Sequence, residues 1–330
     1  MVKSKEKEIE IKENPSVPPE IFKAVSNGKL VLFIGAGVSR IIGCPSWGKF
    51  ALQQLKYLYK NKAINYHEYS NLKSLDARKL LSICRSIYKK NNIEPPSMNS
   101  LLKGEDELIK KFTIYEDLYS FNAVYITTNY DSYLDEIAQK IINKNEVELN
   151  SKVESQFYIE EEKPKGRIIC QEEDMLISNL NNGNVIHLHG SINDEKNVIM
   201  TIVDYINHYK YNSKPAVLLE DIFKNYTVLF VGYGLEEYEI IEFLISKSST
   251  GKNEIRHFML YPMFEKNNNL LRFYQGYYRD LGVELIPYSI DKNGYDQLTI
   301  VINKWSKQIG PASRPQGFLE RIRLIDEVVK

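Results

Sequence analysis

The apolar and polar positions of this chain alternate between two periods. Lys29–Ile34 (KLVLFI) is a continuous apolar run closed by glycine, as expected of a strand buried on both faces. Strand-like runs recur at Ala123–Thr127, Val185–Leu188, Val198–Ile202, Thr227–Val231, Arg256–Tyr261 and Val283–Pro287. Helical periodicity fills the later gaps, near 214–224, 236–248, 267–279 and 294–309. Residues 47–120 read as mostly helical: Trp47, Phe50, Leu55 and Leu58 recur at helical steps, as do Leu80, Leu81, Cys84, Ile87 and Tyr88, with Pro95 and Pro96 interrupting. The segment 132–183 predicts a helix followed by an irregular or β-hairpin insert. Strands alternating with helices predict an α/β fold, a Rossmann-like parallel sheet with helices on both faces and a helical insert.

At its start the chain has little to bury, so residues 1–19 predict a flexible leader. A short helix then begins near Pro19, with Ile21, Phe22 and Val25 on its apolar side and Gly28 at its end. Residues 20–310 form the main domain, with the helical insert at about 47–120. Residues 311–330 follow as a C-terminal helix or a connection to a further module.

Composition narrows the function classes. Lysine plus arginine and aspartate plus glutamate each number 43, so the net charge is zero and the basic footprint of a nucleic-acid binder is absent. The three cysteines, Cys44, Cys84 and Cys170, are scattered and form neither a disulfide framework nor a zinc knuckle. No apolar run approaches the roughly 20 residues that span a bilayer. The N-terminus lacks the apolar core of a signal peptide, so a cytoplasmic, reducing location is expected, without membrane or direct nucleic-acid binding.

Candidate chemistry sits at four strand ends: VLFI-GAGVS, VYIT-TNYD, VIHL-HGS and VLFV-GYGLEE. In open parallel sheets ligands bind beyond the carboxyl ends of strands, so four such ends can line one crevice. Gly35-Ala36-Gly37-Val38-Ser39 allows a tight turn and close approach to a diphosphate, with the next helix offering free amides. Arg40 stands where a G-x-G-x-x-G loop has its last glycine, so a plain strand-to-helix turn is the alternative. In Thr127-Thr128-Asn129-Tyr130-Asp131, helix capping accounts for Asp131 and leaves Asn129 to face a ligand. His187 and His189 fall on one face of a strand, with no further metal ligands at recognisable spacing. His189, nearer the strand end, is the candidate base, and His187 is a core histidine. Gly232-Tyr233-Gly234 offers a second glycine turn, and Glu236 and Glu237 begin the following helix, where the dipole alone explains them.

These four clusters, in this order, resemble the sirtuin-like superfamily, the silent information regulator NAD⁺ enzymes. The family pattern G-A-G-[IV]-S, G-x-P, T-x-N-x-D, H-G and a late glycine turn stands here as Gly35–Ser39, Gly43-Cys44-Pro45, Thr127–Asp131, His189-Gly190 and Gly232–Gly234. Deacylating members carry paired C-x-x-C zinc cysteines, which this chain lacks, and their Pro-Asp-Phe-Arg is Pro45-Ser46-Trp47-Gly48 here. The segments FVGYGL and TTNYD look more like the bacterial sirtuin-like domains of anti-phage defence, which hydrolyse NAD⁺ to nicotinamide and ADP-ribose. The resemblance implies Asn129 and His189 as the catalytic pair and Asp131 at the nicotinamide amide. It implies Gly35, Ala36, Gly37, Ser39, Gly232 and Gly234 around the diphosphate and adenosine ribose. NAD⁺ is then the substrate, and neither zinc nor a further cofactor is expected. Control is expected from homo-oligomerisation, a regulatory partner protein or a phage-derived activator. A protein deacylase or ADP-ribosyltransferase, or a non-enzymatic sensor of NAD⁺ or ADP-ribose, are the competing readings.

Overall fold

Seven strands take up most of these apolar runs in the computed structural model, which describes residues 11–153, 166–248 and 257–310. They are β1 (Leu30–Ile34), β2 (Val124–Thr127), β3 (Ile168–Ile169), β4 (Val185–His187), β5 (Thr227–Val231), β6 (His257–Met263) and β7 (Val283–Ser289). They form one sheet in the order β3-β4-β2-β1-β5-β6-β7, with every neighbouring pair parallel. This is an α/β, Rossmann-like architecture.

The alternation of side chains along each strand builds two cores. Leu30, Leu32 and Ile34 point to one face, where the helices Pro19–Ser26, Ile114–Tyr119, Tyr133–Val153 and Gln297–Ile309 pack. Val31 and Phe33 point to the other, against Lys214–Asn225, Tyr238–Ser248 and Asn268–Asp280. All five β1 residues are at most 1% exposed, so each contributes about 1.5–3 kcal/mol of apolar burial. A third cluster belongs to the insert, where Phe50, Leu55, Leu81 and Cys84 join the helices Trp47–Lys60 and Ala77–Asn91. It reaches Tyr130 and Val198 and so seats the insert over the carboxyl ends of β2 and β4.

Several expectations need correction. Val198–Ile202 is not a strand, because Thr201 and Asp204 form a capping box that starts the helix Ile202–His208. Arg85 of the insert holds the same Asp204 at 2.6 and 2.8 Å. Within 132–183 the described residues contain no hairpin; β3 runs parallel to β4, with Ile168 opposite Val185. Residues 11–18 of the expected leader are docked: Ile11 and Val17 are buried, Ser289 N–H donates to Lys12 O (2.9 Å), and Trp305 Nε1 donates to Pro15 O (2.9 Å). The C-terminal segment 311–330 lies outside the described residues.

From β1 the chain leaves toward β2, and from β5 toward β6, so the connections diverge between β1 and β5. Both glycine turns lie there and pack backbone against backbone. Gly35 N–H donates to Val231 O (3.0 Å) and Gly37 N–H to Gly232 O (2.8 Å). A Cβ on Gly37 would lie 2.7 Å from Gly232 O, and one on Gly232, whose φ is +60°, would lie 2.6 Å from Val38 N. Gly37→Ala is therefore expected to lower unfolding free energy by about 2 kcal/mol or more, since backbone must shift. Gly276→Ala, on an open face of the helix Asn268–Asp280, should instead raise it by about 0.5–1 kcal/mol. Urea unfolding of both variants checks the contrast in sign.

Candidate active site

The polar residues at these strand ends fall into three hydrogen-bonded groups. In the first, Ser39 is the hub. Its helix, Ala36–Ile41, follows the glycine turn directly and turns the buried hydroxyl toward the end of β2. Ser39 Oγ donates to Asp131 Oδ2 at 2.6 Å and accepts from Asn129 Nδ2 at 2.8 Å. The second N–H of the Asn129 amide donates to Gly35 O at 3.0 Å. The Tyr115 hydroxyl lies 3.2 Å from Ser39 Oγ and 3.3 Å from Asp131 Oδ1. Both amide hydrogens of Asn129 are thus used in fixing it, which leaves Oδ1 as the end able to accept a further bond.

Asp131 was expected to cap the following helix. The Tyr133 amide does approach its carboxylate, but the carboxylate is also bonded to Ser39 and Tyr115. Burial raises its pKa above the usual carboxylate range, against the opposing pull of the Ser39 hydroxyl.

In the second group, His187 Nε2 lies 2.7 Å from Asp135 Oδ1, and Nδ1 lies 3.1 Å from Asn129 O. His187 is a buried structural histidine that also anchors the backbone of Asn129. Burial acts to lower its pKa, but the bond and charge of Asp135 outweigh that and leave it raised above 6.5.

His189 heads the third group. It does not share a face with His187, because β4 ends at His187 and a turn closed by Gly190 N–H to His187 O (3.3 Å) re-aims the chain. Gly190 permits that turn through its φ of +79°. His189 Nε2 lies 2.8 Å from the Tyr209 hydroxyl and 3.5 Å from Glu237 Oε2, and Nδ1 lies 3.4 Å from the Tyr205 hydroxyl. Burial, then the neighbouring His208 and Arg78, push its pKa well below 6.5, so the ring is a neutral imidazole at pH 7.

Arg78 comes from the insert. It binds Glu239 at 3.0 and 3.2 Å and stacks 3.9 Å over the Tyr205 ring. The sequence alone assigns no role to Tyr205, Tyr209 or Arg78. Tyr205 and Tyr209 follow the Val198–Ile202 run that reads as a strand, and Arg78 is remote in sequence. Glu237 does stand at the helix start, directly before Tyr238 with its carbonyl accepting from Ile241 N–H (3.1 Å), but its half-buried carboxylate also turns one oxygen, Oε2, into the group around His189.

Asn129 is 8% exposed and His189 1%. They occupy adjacent strand ends, since Thr127 pairs with His187 and each lies two residues further on, but they sit in separate groups. Beyond the glycine turns is a cavity of about 390 Å³ lined by Gly37, Arg40, Gly232, Gly234 and the aromatic rings Tyr261, Tyr288 and Tyr295. A larger cavity, about 1020 Å³, lies between the insert and residues 170–210 and is lined by neither Asn129 nor His189. Among the described residues no cluster of His, Cys, Asp or Glu could hold a metal ion. Cys44, Cys84 and Cys170 are each pushed up to about 12 by burial and remain thiols. No helix among the described residues is long and apolar enough to cross a membrane.

The His187–Asp135 pair has a defined pH signature. A histidine whose folded pKa is raised contributes stability that is full below the unfolded value near 6.5 and is lost as pH rises through the folded value. Asp135→Asn should therefore cost most, on the order of 3 kcal/mol, in mildly acidic buffer, and less above that window. Denaturation of both proteins across this pH range measures the difference.

A family model described as "SIR2-like domain" matches residues 123–286, which include the Asn129–Asp131, His187–Gly190 and Gly232–Gly234 segments. The Gly35–Ser39 turn lies outside that match. Defense-associated sirtuin 2 of Bacillus subtilis is 26% identical over 291 residues, covering 84% of this chain and 25% of that protein. This chain thus spans a quarter of the length of that relative. With the parallel sheet and the paired glycine turns, these matches identify a SIR2-like domain over residues 123–286 of this chain.

Proposed function

We propose that this chain is an NAD⁺ glycohydrolase, cleaving NAD⁺ to nicotinamide and ADP-ribose, and that it serves anti-phage defence by depleting NAD⁺. The observation that carries the reading is the position of Asn129 and His189, each just beyond the carboxyl end of one of the adjacent strands β2 and β4. This lies next to the divergence of the sheet connections, where parallel sheets bind their ligands. The similarity to a defence-associated sirtuin supports the biological role.

The chemistry asks little of a general acid. Nicotinamide departs with the electron pair of its glycosidic bond and leaves neutral, so the site has to stabilise an oxocarbenium-like ribose and position a water. Asn129 suits the positioning. Its amide nitrogen is held by Gly35 O and Ser39 Oγ, so Oδ1 is fixed to accept from the water or a ribose hydroxyl. His189 is a neutral imidazole, the protonation state that a base requires. Arg40 and the tyrosines of the smaller cavity, next to both glycine turns, suit a diphosphate and an adenine. Asp131, engaged by Ser39 and Tyr115, acts as the brace of Asn129, and a contact with the nicotinamide amide requires exchange of one of those bonds. Substrate reaches His189 only when the elements covering it move.

Asn129→Ala and His189→Ala should each lower nicotinamide release by at least about 10²-fold while leaving thermal unfolding close to the unaltered chain. Chromatographic assay of nicotinamide and ADP-ribose tests this, and full activity in either variant overturns the assignment.

A further inference from the structure

The carboxylate of Glu237 lies in the group around His189 without a settled partner. Glu237 precedes the helix Tyr238–Ser248, and the chain is turned toward His189 by Leu235, a buried non-glycine residue at φ +52°. Leucine in the left-handed region is a strained conformation, which persists where the surroundings hold it. Glu237 Oε2 is buried and makes no hydrogen bond of good geometry; the Tyr233 hydroxyl approaches the carboxylate closely enough to pull its pKa down but falls short of one as well. Oε2 stands 3.5 Å from His189 Nε2 and 4.0 Å from Arg78 Nη2. Arg78 is already engaged by both oxygens of Glu239, so it does not fully neutralise a second carboxylate. A buried carboxyl oxygen left unpaired beside a histidine is costly unless a proton, a water or a substrate group completes it.

Given the NAD⁺ cleavage proposed above, on which this inference rests, we propose that Glu237 is the positioning residue for His189. It faces Nε2 and receives a proton from there as the opposite ring nitrogen takes one from water. The balance is simple. The glycosidic electron pair leaves with nicotinamide, the water oxygen bonds to the ribose carbon, and one water proton passes to His189 Nδ1. The proton on Nε2 moves on to the Glu237 carboxylate and then to solvent when the site opens. Without such an acceptor, a histidine this deeply buried is a poor base.

The titration of Glu237 fits this role. Its own segment adds Glu236 and Glu239, the insert adds Arg78, and the phenols of Tyr130, Tyr205, Tyr209 and Tyr233 surround it. Burial is the largest influence, opposed by the Arg78 charge, and leaves its carboxyl pushed up to about 7. The carboxylate form, able to accept, is thus gained as pH rises through neutrality.

The test is the pH dependence of nicotinamide release by the full chain, its Glu237→Gln variant and its Glu237→Asp variant, from about pH 5.5 to 8.5, with calorimetric ADP-ribose binding on each. The unaltered chain should lose turnover on the acid side with a midpoint near 7. The Gln variant should lose about 10²-fold and lose that acid limb, the Asp variant should recover part of both, and ADP-ribose binding should stay within about threefold. A Gln variant with turnover within about threefold and the same acid limb overturns the role of Glu237 while leaving NAD⁺ cleavage intact. Loss of ADP-ribose binding in both variants also overturns it, because the residue is then structural. Absence of nicotinamide from the unaltered chain at every pH defeats the NAD⁺ reading itself and the proposal with it.

Discussion

The backbone contact between Gly35–Gly37 and Gly232 is the constraint on which the rest of the site depends. It joins the ends of β1 and β5 where the sheet connections diverge, and it admits no Cβ on either side. Because Gly37 N–H is committed to Gly232 O, the helix Ala36–Ile41 starts in one orientation. That orientation delivers Ser39 to Asp131 and Asn129, and Gly35 O to the Asn129 amide. The catalytic role proposed for Asn129 needs such bracing, since small misplacement of a positioning group costs rate steeply.

The electrostatics separate into a structural half and a chemical half. On the β2 side His187 and Asp135 hold a buried pair remote from solvent, and the Asp131 carboxyl is met by hydroxyls. On the β4 side burial drives His189 down and Glu237 up, the divergence expected when an acid and a base must exchange a proton near neutrality. The insert belongs to this second half. Through Arg78 it sets the charge beside Glu237, and through Arg85 and Asp204 it holds the helix that carries Tyr205.

Much of this was legible in the sequence because strands buried on both faces leave unbroken apolar runs, and β1, β2, β4 and β5 all did. Asn129 and His189 were legible because they directly follow such runs. The glycines were legible as turns, but their reason was not: they meet each other's backbone, a contact nearly 200 residues apart along the chain. Val198–Ile202 misled because its apolar pattern suits a strand, while the Thr201–Asp204 capping box decides for a helix. The relation of His187 to His189 was misread because alternation holds only within a strand, and β4 stops at His187. Glu237 and Arg78 carry no local signal, since a buried charge is recognised only when its partners are in place.

The most direct measurement is the product balance when the purified chain is incubated with NAD⁺ and no acceptor, over a range of protein concentrations. Hydrolysis by Asn129 and His189 predicts nicotinamide and free ADP-ribose in a one-to-one ratio. NAD⁺ that stays intact, or nicotinamide released without matching free ADP-ribose, would contradict it.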